Sequence, residues 1–405
     1  MSLATASLSA TAAARITLYG FVCAMLFAAT SSAPTPLYPL YRALYHLSPV
    51  TITLIFASYA FALLVALLCF GRLSDFVGRR AMMLAALLCN ALALTLFMLA
   101  QGADMLIVAR MVQGLATGIA LPTFGAAILD GDKARGPLLN AVAPFLGLML
   151  GTLTGAILIA FVPLPTVAIY ALLLTLMLFA LALLPVMPET ASPAPGALRA
   201  LKPQIAIPPR ALRPMLRMAP AIVATWSLGG FYLSLMPTLV ILSTGLTSPF
   251  VGGSVVATLM LSATASVFIF RRWSPSRARS IGTLALMAGV GLTLFGINQH
   301  LVTLLYLGTA VAGQGFGSIF ANVMKSIMPL AESHQRAGLF AALMVKSYLA
   351  FALPALAAGC LVSVLGLAAT ANYYCLGILL MAALSLLTGR SGVVLTAEED
   401  KKMAG

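Results

Sequence analysis

Gly71-Arg72-Leu73-Ser74-Asp75-Phe76-Val77-Gly78-Arg79-Arg80 is a charged turn set between two apolar segments, each long enough to cross a bilayer. Charged residues make up only 8% of the chain, so three arginines and an aspartate packed into this one turn need a structural reason. A hairpin loop between two membrane helices, on the side where positive charge collects, supplies it.

Outward from the turn the chain reads the same way. Of its 405 residues 61% are hydrophobic, and mean hydropathy is +1.06, beyond the composition of ordinary soluble domains. An α-helix needs about 20 apolar residues to cross ~30 Å of hydrocarbon. Such runs recur near 16–33, 50–70, 81–100, 104–129, 137–161, 166–184, 220–242, 250–270, 281–298, 301–327, 337–362 and 367–388. The expected fold class is an all-α polytopic membrane protein, with twelve transmembrane helices in two six-helix pseudo-symmetric bundles.

A net charge of +14 would suit a nucleic-acid binder, but its placement points elsewhere. If the 71–80 turn is cytoplasmic, the same side receives Arg15, Lys133, Arg135, Arg199, Lys202, Arg210, Arg213, Arg217, Arg271, Arg272, Arg277, Arg279, Arg336, Arg390, Lys401 and Lys402. The opposite side receives Arg42 alone. That bias is the positive-inside rule; it predicts two cytoplasmic termini, a lipid-bilayer partner and no nucleic acid. Residues 1–14 lack a basic start before a cleavable apolar core, so no cleaved signal peptide is expected. Cys23, Cys69, Cys89, Cys360 and Cys375 all fall in spans without CxxC spacing and read as packing residues. The alanine-rich, short-looped build suggests a bacterial inner membrane.

Between the sixth and seventh spans, Pro185 to Pro220 holds nine prolines, five basic residues and one acid, Glu189. Proline at that density favours extended, solvated backbone. The expected organisation is a six-helix bundle at 1–184, a cytoplasmic basic linker at 185–219, a second bundle at 220–389 and a cytoplasmic tail at 390–405. The halves echo one another. Gln113-Gly114 recurs as Gln314-Gly315, and Leu129 and Arg135 as Leu330 and Arg336, at an offset of 201; Arg72 and Arg79 recur as Arg272 and Arg279 at 200. Two such halves with a site between them near the midplane is a known transporter plan.

Three motifs in the first half carry chemistry. In the charged turn, Gly71 and Gly78 allow close helix approach and positive φ, and Asp75 can accept backbone N–H groups at a neighbouring helix start. In span 4, Leu106-x-x-x-Arg110-x-x-Gln113-Gly114 puts a guanidinium roughly 9 Å along the helix from Asp104. Arg110 therefore faces a water-filled cavity or polar partner, or else snorkels towards Asp104 and the headgroups. In span 5, Gly147, Gly151 and Gly155 lie on one helix face, where small residues let two backbones touch.

Together these motifs resemble the major facilitator superfamily, closest to its twelve-helix drug:proton antiporter branch. The turn is similar to the loop motif between that family's second and third helices, departing at Phe76, where a basic residue is usual. Span 4 resembles the family's arginine-bearing fourth helix. Span 5 resembles the antiporter fifth-helix signature, with Thr152 in place of the usual proline and Ala156 in place of a second glycine. The resemblance implies a latch of Gly71, Asp75, Gly78, Arg79, Arg80 and Asp130 that holds the outward-open state and breaks as the halves rock. The bland reading is a solvated loop that merely orients the protein.

The nine acids are Asp75, Asp104, Asp130, Asp132, Glu189, Glu332, Glu398, Glu399 and Asp400, and none lies in the middle of a span. A membrane-embedded carboxylate that trades a proton for a cationic drug is therefore missing. Lys346 lies near the centre of span 11, where a lysine is functional by default, so it is a candidate cavity residue and proton carrier; an interhelical bond is the other reading. Lys325 reads as a snorkelling residue. A cavity with Arg110 and Lys346 but no acid predicts anionic, zwitterionic or neutral amphiphilic substrates. Tyr19, Phe27, Thr30, Gln113, Asn140, Trp226, Tyr232, Gln314 and Asn322 are further candidates on the helices the family uses to line its cavity, each equally open to a packing role. Pro34, Pro36 and Pro39 should break the first span at its outer end.

The expected function is secondary active transport by alternating access, exporting small amphiphiles in exchange for protons, with no cofactor and as a monomer. An importer or facilitator of an organic anion or sugar is the near alternative. A membrane-embedded enzyme is remote: His46, His300 and His334 have no ligand spacing, so no metal is expected, and GxSxG, HExxH and GxxxxGK[ST] do not occur.

Overall fold

The computed structural model describes residues 9–403, apart from 204, 247, 333 and 334. His334 and residues 1–8 lie outside the described residues, as do the side chains of Arg199, Arg390, Glu398, Glu399, Asp400, Lys401 and Lys402. Every described regular element is helical. The long helices are α1 Ala10–Ser32, α2 Pro49–Phe70, α3 Arg79–Met98, α4 Ala103–Gly131, α5 Gly136–Phe161, α6 Pro165–Leu183, α7 Pro209–Ser234, α8 Pro249–Ile269, α9 Pro275–Asn298, α10 Val302–Ile327, α11 Arg336–Leu365 and α12 Leu367–Met403. Among the described residues eleven elements are long and apolar enough to span a membrane, and twelve if α7 and Met236–Thr244, bent by 64°, count as one. The outer faces of the bundle carry exposed Leu88, Leu92, Phe179 and Leu380, as a surface facing hydrocarbon should.

Helix starts follow local chemistry. Ser9 and Ser48 cap α1 and α2 by accepting from Ala12 N and Thr51 N, and Pro49, Pro165, Pro209 and Pro275 occupy the first turn, where the missing N–H costs nothing. The seventh helix begins at Pro209, inside the segment read as extended linker. Ala211, Met215 and Met218 recur at helical spacing and bury one face, and that burial overrides Pro214. The Pro34–Pro39 run interrupts α1 without ending its path: Thr35–Leu37 tighten to a 3-10 turn, and Tyr38–Leu44 continue helically.

Both halves use one packing scheme. In the first, α4 packs on α1, α2 and α3, with α1 on α5 and α3 on α6; in the second, α10 packs on α7, α8 and α9, with α7 on α11 and α9 on α12. Glycines make the tightest crossings. Gly114 and Gly118 of α4 lie against the Tyr59 and Leu63 carbonyls of α2, and Gly313 and Gly317 of α10 lie against the Leu259 and Ala263 carbonyls of α8. These pairs fix the repeat offset of the fourth and tenth helices at 199, not the 201 suggested by Gln113-Gly114 and Gln314-Gly315. Gly315 instead packs on α9, against Gly282 and Leu286. Gly147, Gly151 and Gly155 of α5 press on α1 and its continuation, at Met25, Ala29 and Pro36.

The halves meet through two related pairs, α2 with α11 and α5 with α8. Gly359 of α11 packs on Thr53 of α2, and Gly253 of α8 on Ala156 and Thr152 of α5. Thr35 Oγ1 also donates to Leu233 O across the halves, at 3.1 Å. All of these contacts cluster away from the 71–80 turn, so one end of the bundle is shut.

A side chain at Gly114 or Gly317 would strike a neighbouring backbone. Gly114→Val and Gly317→Val should each destabilise by about 1–3 kcal/mol, the scale of core overpacking, read as a lower melting temperature of purified protein. Gly291→Ala, with open space around it, should leave the melting temperature within a degree or two of the parent.

Candidate functional site

A cavity of about 1130 Å³ lies between the halves. At the end carrying the 71–80 turn its wall reaches Arg72, Leu129, Arg271, Lys325 and Arg336; at the other it stops at Thr35, Tyr59, Arg110, Leu233 and Phe351. It is therefore open at the basic end and closed by the α2–α11 and α5–α8 contacts. By helix rise, Arg110 and Leu129 are about 28 Å apart along α4, nearly a bilayer core.

The wall is mostly apolar and aromatic. Phe145 of α5 meets Phe316 and Phe320 of α10 edge-on at 5.3 Å, and Phe56 of α2 meets Phe351 of α11 at 4.7 Å, so rings join the halves across the cavity. Trp226 packs on Tyr348 at 4.9 Å and on Phe351 at 6.2 Å. Such faces suit apolar and planar groups without fixing one shape. Pro122 and Pro144 also stand on the wall, and each removes one hydrogen bond from its helix. Beside Pro144, Asn140 Nδ2 ties α5 to α4 through Gly125 O at 2.9 Å. Near the mouth, Asn322 Nδ2 donates to Pro275 O and Lys325 Nζ to Arg271 O, both at 2.9 Å.

Arg110, 1% exposed, marks the cavity floor. Nη1 donates to Ser31 O and Gln113 Oε1, both at 2.8 Å, and Nη2 to Tyr38 OH. The guanidinium also lies 5.7 Å from the Tyr38 ring centre and 5.4 Å from that of Tyr59, a cation–π arrangement. Gln113 Nε2 donates in turn to Thr30 O, and Asn90 Nδ2 to Thr30 Oγ1. Every partner in this group is neutral. At the 199 offset the position of Arg110 falls on Thr309, whose hydroxyl bonds Tyr232 OH at 2.8 Å. One half thus carries a cation where the other carries a hydroxyl.

Of the residues singled out in the sequence, Phe27, Arg110, Asn140, Trp226 and Asn322 stand on the cavity wall. Six others do not. Gln113 and Thr30 are buried behind Arg110, Tyr19 OH bonds Ala180 O on α6, and Tyr232 is held between Thr293 and Thr309. Gln314 lies one heptad from exposed Leu307, off the wall. Lys346 is the largest correction. The cavity face of α11 carries Phe340, Met344, Tyr348 and Phe351, whereas Lys346 shares the outer face with exposed Leu353, Ala357 and Cys360. Its depth was read from span position, but its azimuth points away from the cavity, and the side chain is half-buried on the outer face. Lys325, read as snorkelling, stands at the mouth instead. Tyr38, Tyr59, Tyr348 and the phenylalanine belt were not foreseen; aromatic residues at helical spacing are too common in apolar helices to stand out.

The 71–80 turn is held by the linker. Arg79 pairs with Asp75 and, at 3.3 Å, with Asp130, and it donates to Ser74 Oγ. The carboxylate that caps α3 is not Asp75 but Glu189, which accepts Arg79 N at 2.8 Å and Arg80 N at 3.0 Å. Thr190 Oγ1 donates to Asp130 Oδ2, Arg80 Nη2 to Pro185 O, and Ala194 N to Phe76 O. Gly78, at φ +96°, leaves room for Glu189; Gly71 is right-handed, and a Cβ there would meet Leu67 O. The whole cluster belongs to the first half and its linker, and it is intact while the cavity is open at this same end. An opening that breaks it is not what this conformation displays.

Two six-helix halves of one plan, around a one-sided cavity about as deep as a bilayer core, define a polytopic membrane protein of the two-bundle transporter type. A family model described as Major Facilitator Superfamily matches residues 20–353, and the chain belongs to that superfamily of secondary transporters. No curated protein gives a significant match.

Glu189→Gln should weaken the cap on α3 by roughly 1 kcal/mol, read as a lower melting temperature and faster proteolysis between 185 and 208. In a transport assay Lys346→Gln should retain activity within about twofold, since removing a group from the outer face leaves the cavity unchanged.

Proposed function

We propose that the protein is a secondary transporter that exports small amphiphilic compounds, anionic, zwitterionic or neutral, across a bacterial inner membrane in exchange for protons, as does the drug:proton antiporter branch. The basic end is taken as cytoplasmic, which puts both termini there and makes this the inward-open state. The observation that carries the reading is the cavity: apolar and aromatic along its length, free of carboxylates among the described wall residues, with cations at mouth and floor. Such a wall disfavours inorganic ions and cations and accepts a molecule with an apolar body. A monomer is sufficient, because the site is complete within one chain.

Alternating access then requires the α2–α11 and α5–α8 contacts to part while the basic end closes. The cluster of Asp75, Arg79, Asp130 and Glu189 serves as a brace that keeps the first half rigid during rocking. Each charge moved across ~100 mV supplies about 2.3 kcal/mol, roughly a 50-fold gradient. The lack of a wall carboxylate gives a second reading, a facilitator or importer of an organic anion, an observation in its favour: no acid residue is available there to carry the coupled proton.

An ideal Cβ on Gly359 would lie 2.9 Å from Thr53 Cβ, closer than the ~3.5–4.5 Å of a disulfide, so α2 and α11 must ease apart by roughly 0.6 Å to accept the bond. In a cysteine-free background, oxidation of Thr53→Cys/Gly359→Cys should abolish uptake into proteoliposomes and reduction should restore it; full activity when cross-linked would rule out parting of this pair. With an imposed pH gradient, neutral or anionic amphiphiles should move protons. Substrate movement without proton flux would select the facilitator reading.

A further inference from the structure

The guanidinium of Arg110 has fewer partners than its charge calls for. It carries five N–H donors; Ser31 O, Gln113 Oε1 and Tyr38 OH take three, and buried Nε has no partner. Among the described residues Arg110 forms no ion pair. A buried charge is normally paired, and an arginine keeps its charge on burial. Here the compensation is three neutral acceptors and two tyrosine rings. Two donors are left over, the Nε–H and one N–H of the neighbouring Nη2, and a guanidinium with free donors is a receptor for a carboxylate.

The position of the group gives the unmet charge a meaning. Arg110 forms the cavity floor with Ser31, Thr35 and Tyr59, and the aromatic belt of Phe145, Trp226, Phe316 and Tyr348 fills the stretch between floor and mouth. We propose that Arg110 receives the acid group of an amphiphilic organic acid, whose hydrocarbon part lies along that belt. This rests on the transport reading above and narrows its substrate class to monoanions. One fixed positive charge is neutralised by one negative charge, and the resulting pair adds no net charge to a cavity whose described wall residues include no carboxylate. Arg271, Lys325 and Arg336 at the mouth raise the local anion concentration, and the acid group then passes inwards to the deeper cation.

Both tryptophans of the chain, Trp226 and Trp273, stand on the cavity wall. Trp273→Phe leaves Trp226 as the reporter. The protein in nanodiscs is titrated at pH 8 with decanoate and with decanol, an apolar chain of equal length without the charge. Decanoate should shift Trp226 emission at a concentration at least ~10-fold lower than decanol. Arg110→Gln in the same background should remove that preference while leaving the decanol response unchanged, and Lys325→Gln/Arg336→Gln should slow the emission change on mixing with decanoate but keep the preference. The ligand pair is informative with Arg110 in place, so the test survives failure of Arg110→Gln to fold. Equal responses to the two ligands would overturn the proposal, as would a preference that persists in Arg110→Gln or vanishes with the mouth variant alone. An Arg110-dependent preference without transport into proteoliposomes would keep the site and refute the transport reading.

Discussion

In hydrocarbon, helices gain nothing by hiding apolar surface from one another, so what holds them is close packing of backbone on backbone. This protein meets that constraint with glycines. Gly114 and Gly118 bring α4 onto α2, Gly313 and Gly317 bring α10 onto α8, and Gly147 and Gly151 bring α5 onto α1. Every other feature depends on those crossings. They set how closely α2, α5 and α8, three of the four helices through which the halves meet, approach their own neighbours. The closed end uses the same device, with Gly253 and Gly359 placing one half against the other through contacts small enough to break.

Symmetry supplies the frame and asymmetry supplies the chemistry. Near the same level of the two halves, equivalent helices carry different polar groups: Thr30, Asn90, Arg110 and Gln113 in the first, Tyr232, Thr293 and Thr309 in the second. The second set is a closed network of hydroxyls with no net charge, suited to holding helices together. The first set concentrates one positive charge that its neighbours solvate but do not cancel. The positive charge at the cavity floor therefore comes from one half, on α4, whereas at the mouth Arg271, Lys325 and Arg336 of the second half add theirs.

Charge at the basic end follows a different logic. Glu189 is the only acid of the linker, and it is spent on the first turn of α3, where backbone N–H groups and the helix dipole both favour an anion. Arg79 binds Asp75 and Asp130 at the same time. The linker is thus anchored to the first half before it crosses to the second, where Ala206 N approaches Gly338 O at the start of α11. Proline-rich composition predicted extended backbone there; it did not predict that the extended backbone would be docked.

The sequence by itself determined the number of long helices, the end where positive charge collects and the two-bundle plan, because hydropathy and charge act one residue at a time. Only the tertiary structure decided which way each helix faces. In a bilayer the outer face and the interior are both apolar, so hydropathy carries little azimuthal information, and Lys346 and Gln314 read as cavity residues although both turn away from it. Repeat register was hidden for the same reason. A shared Gln-Gly pair suggested 201, whereas the offset is set by which glycine meets a carbonyl of the neighbouring helix, and that is 199. The partners of Arg110 come from α1, from the segment beyond its proline break and from α2, distant stretches of chain that only packing brings to one guanidinium.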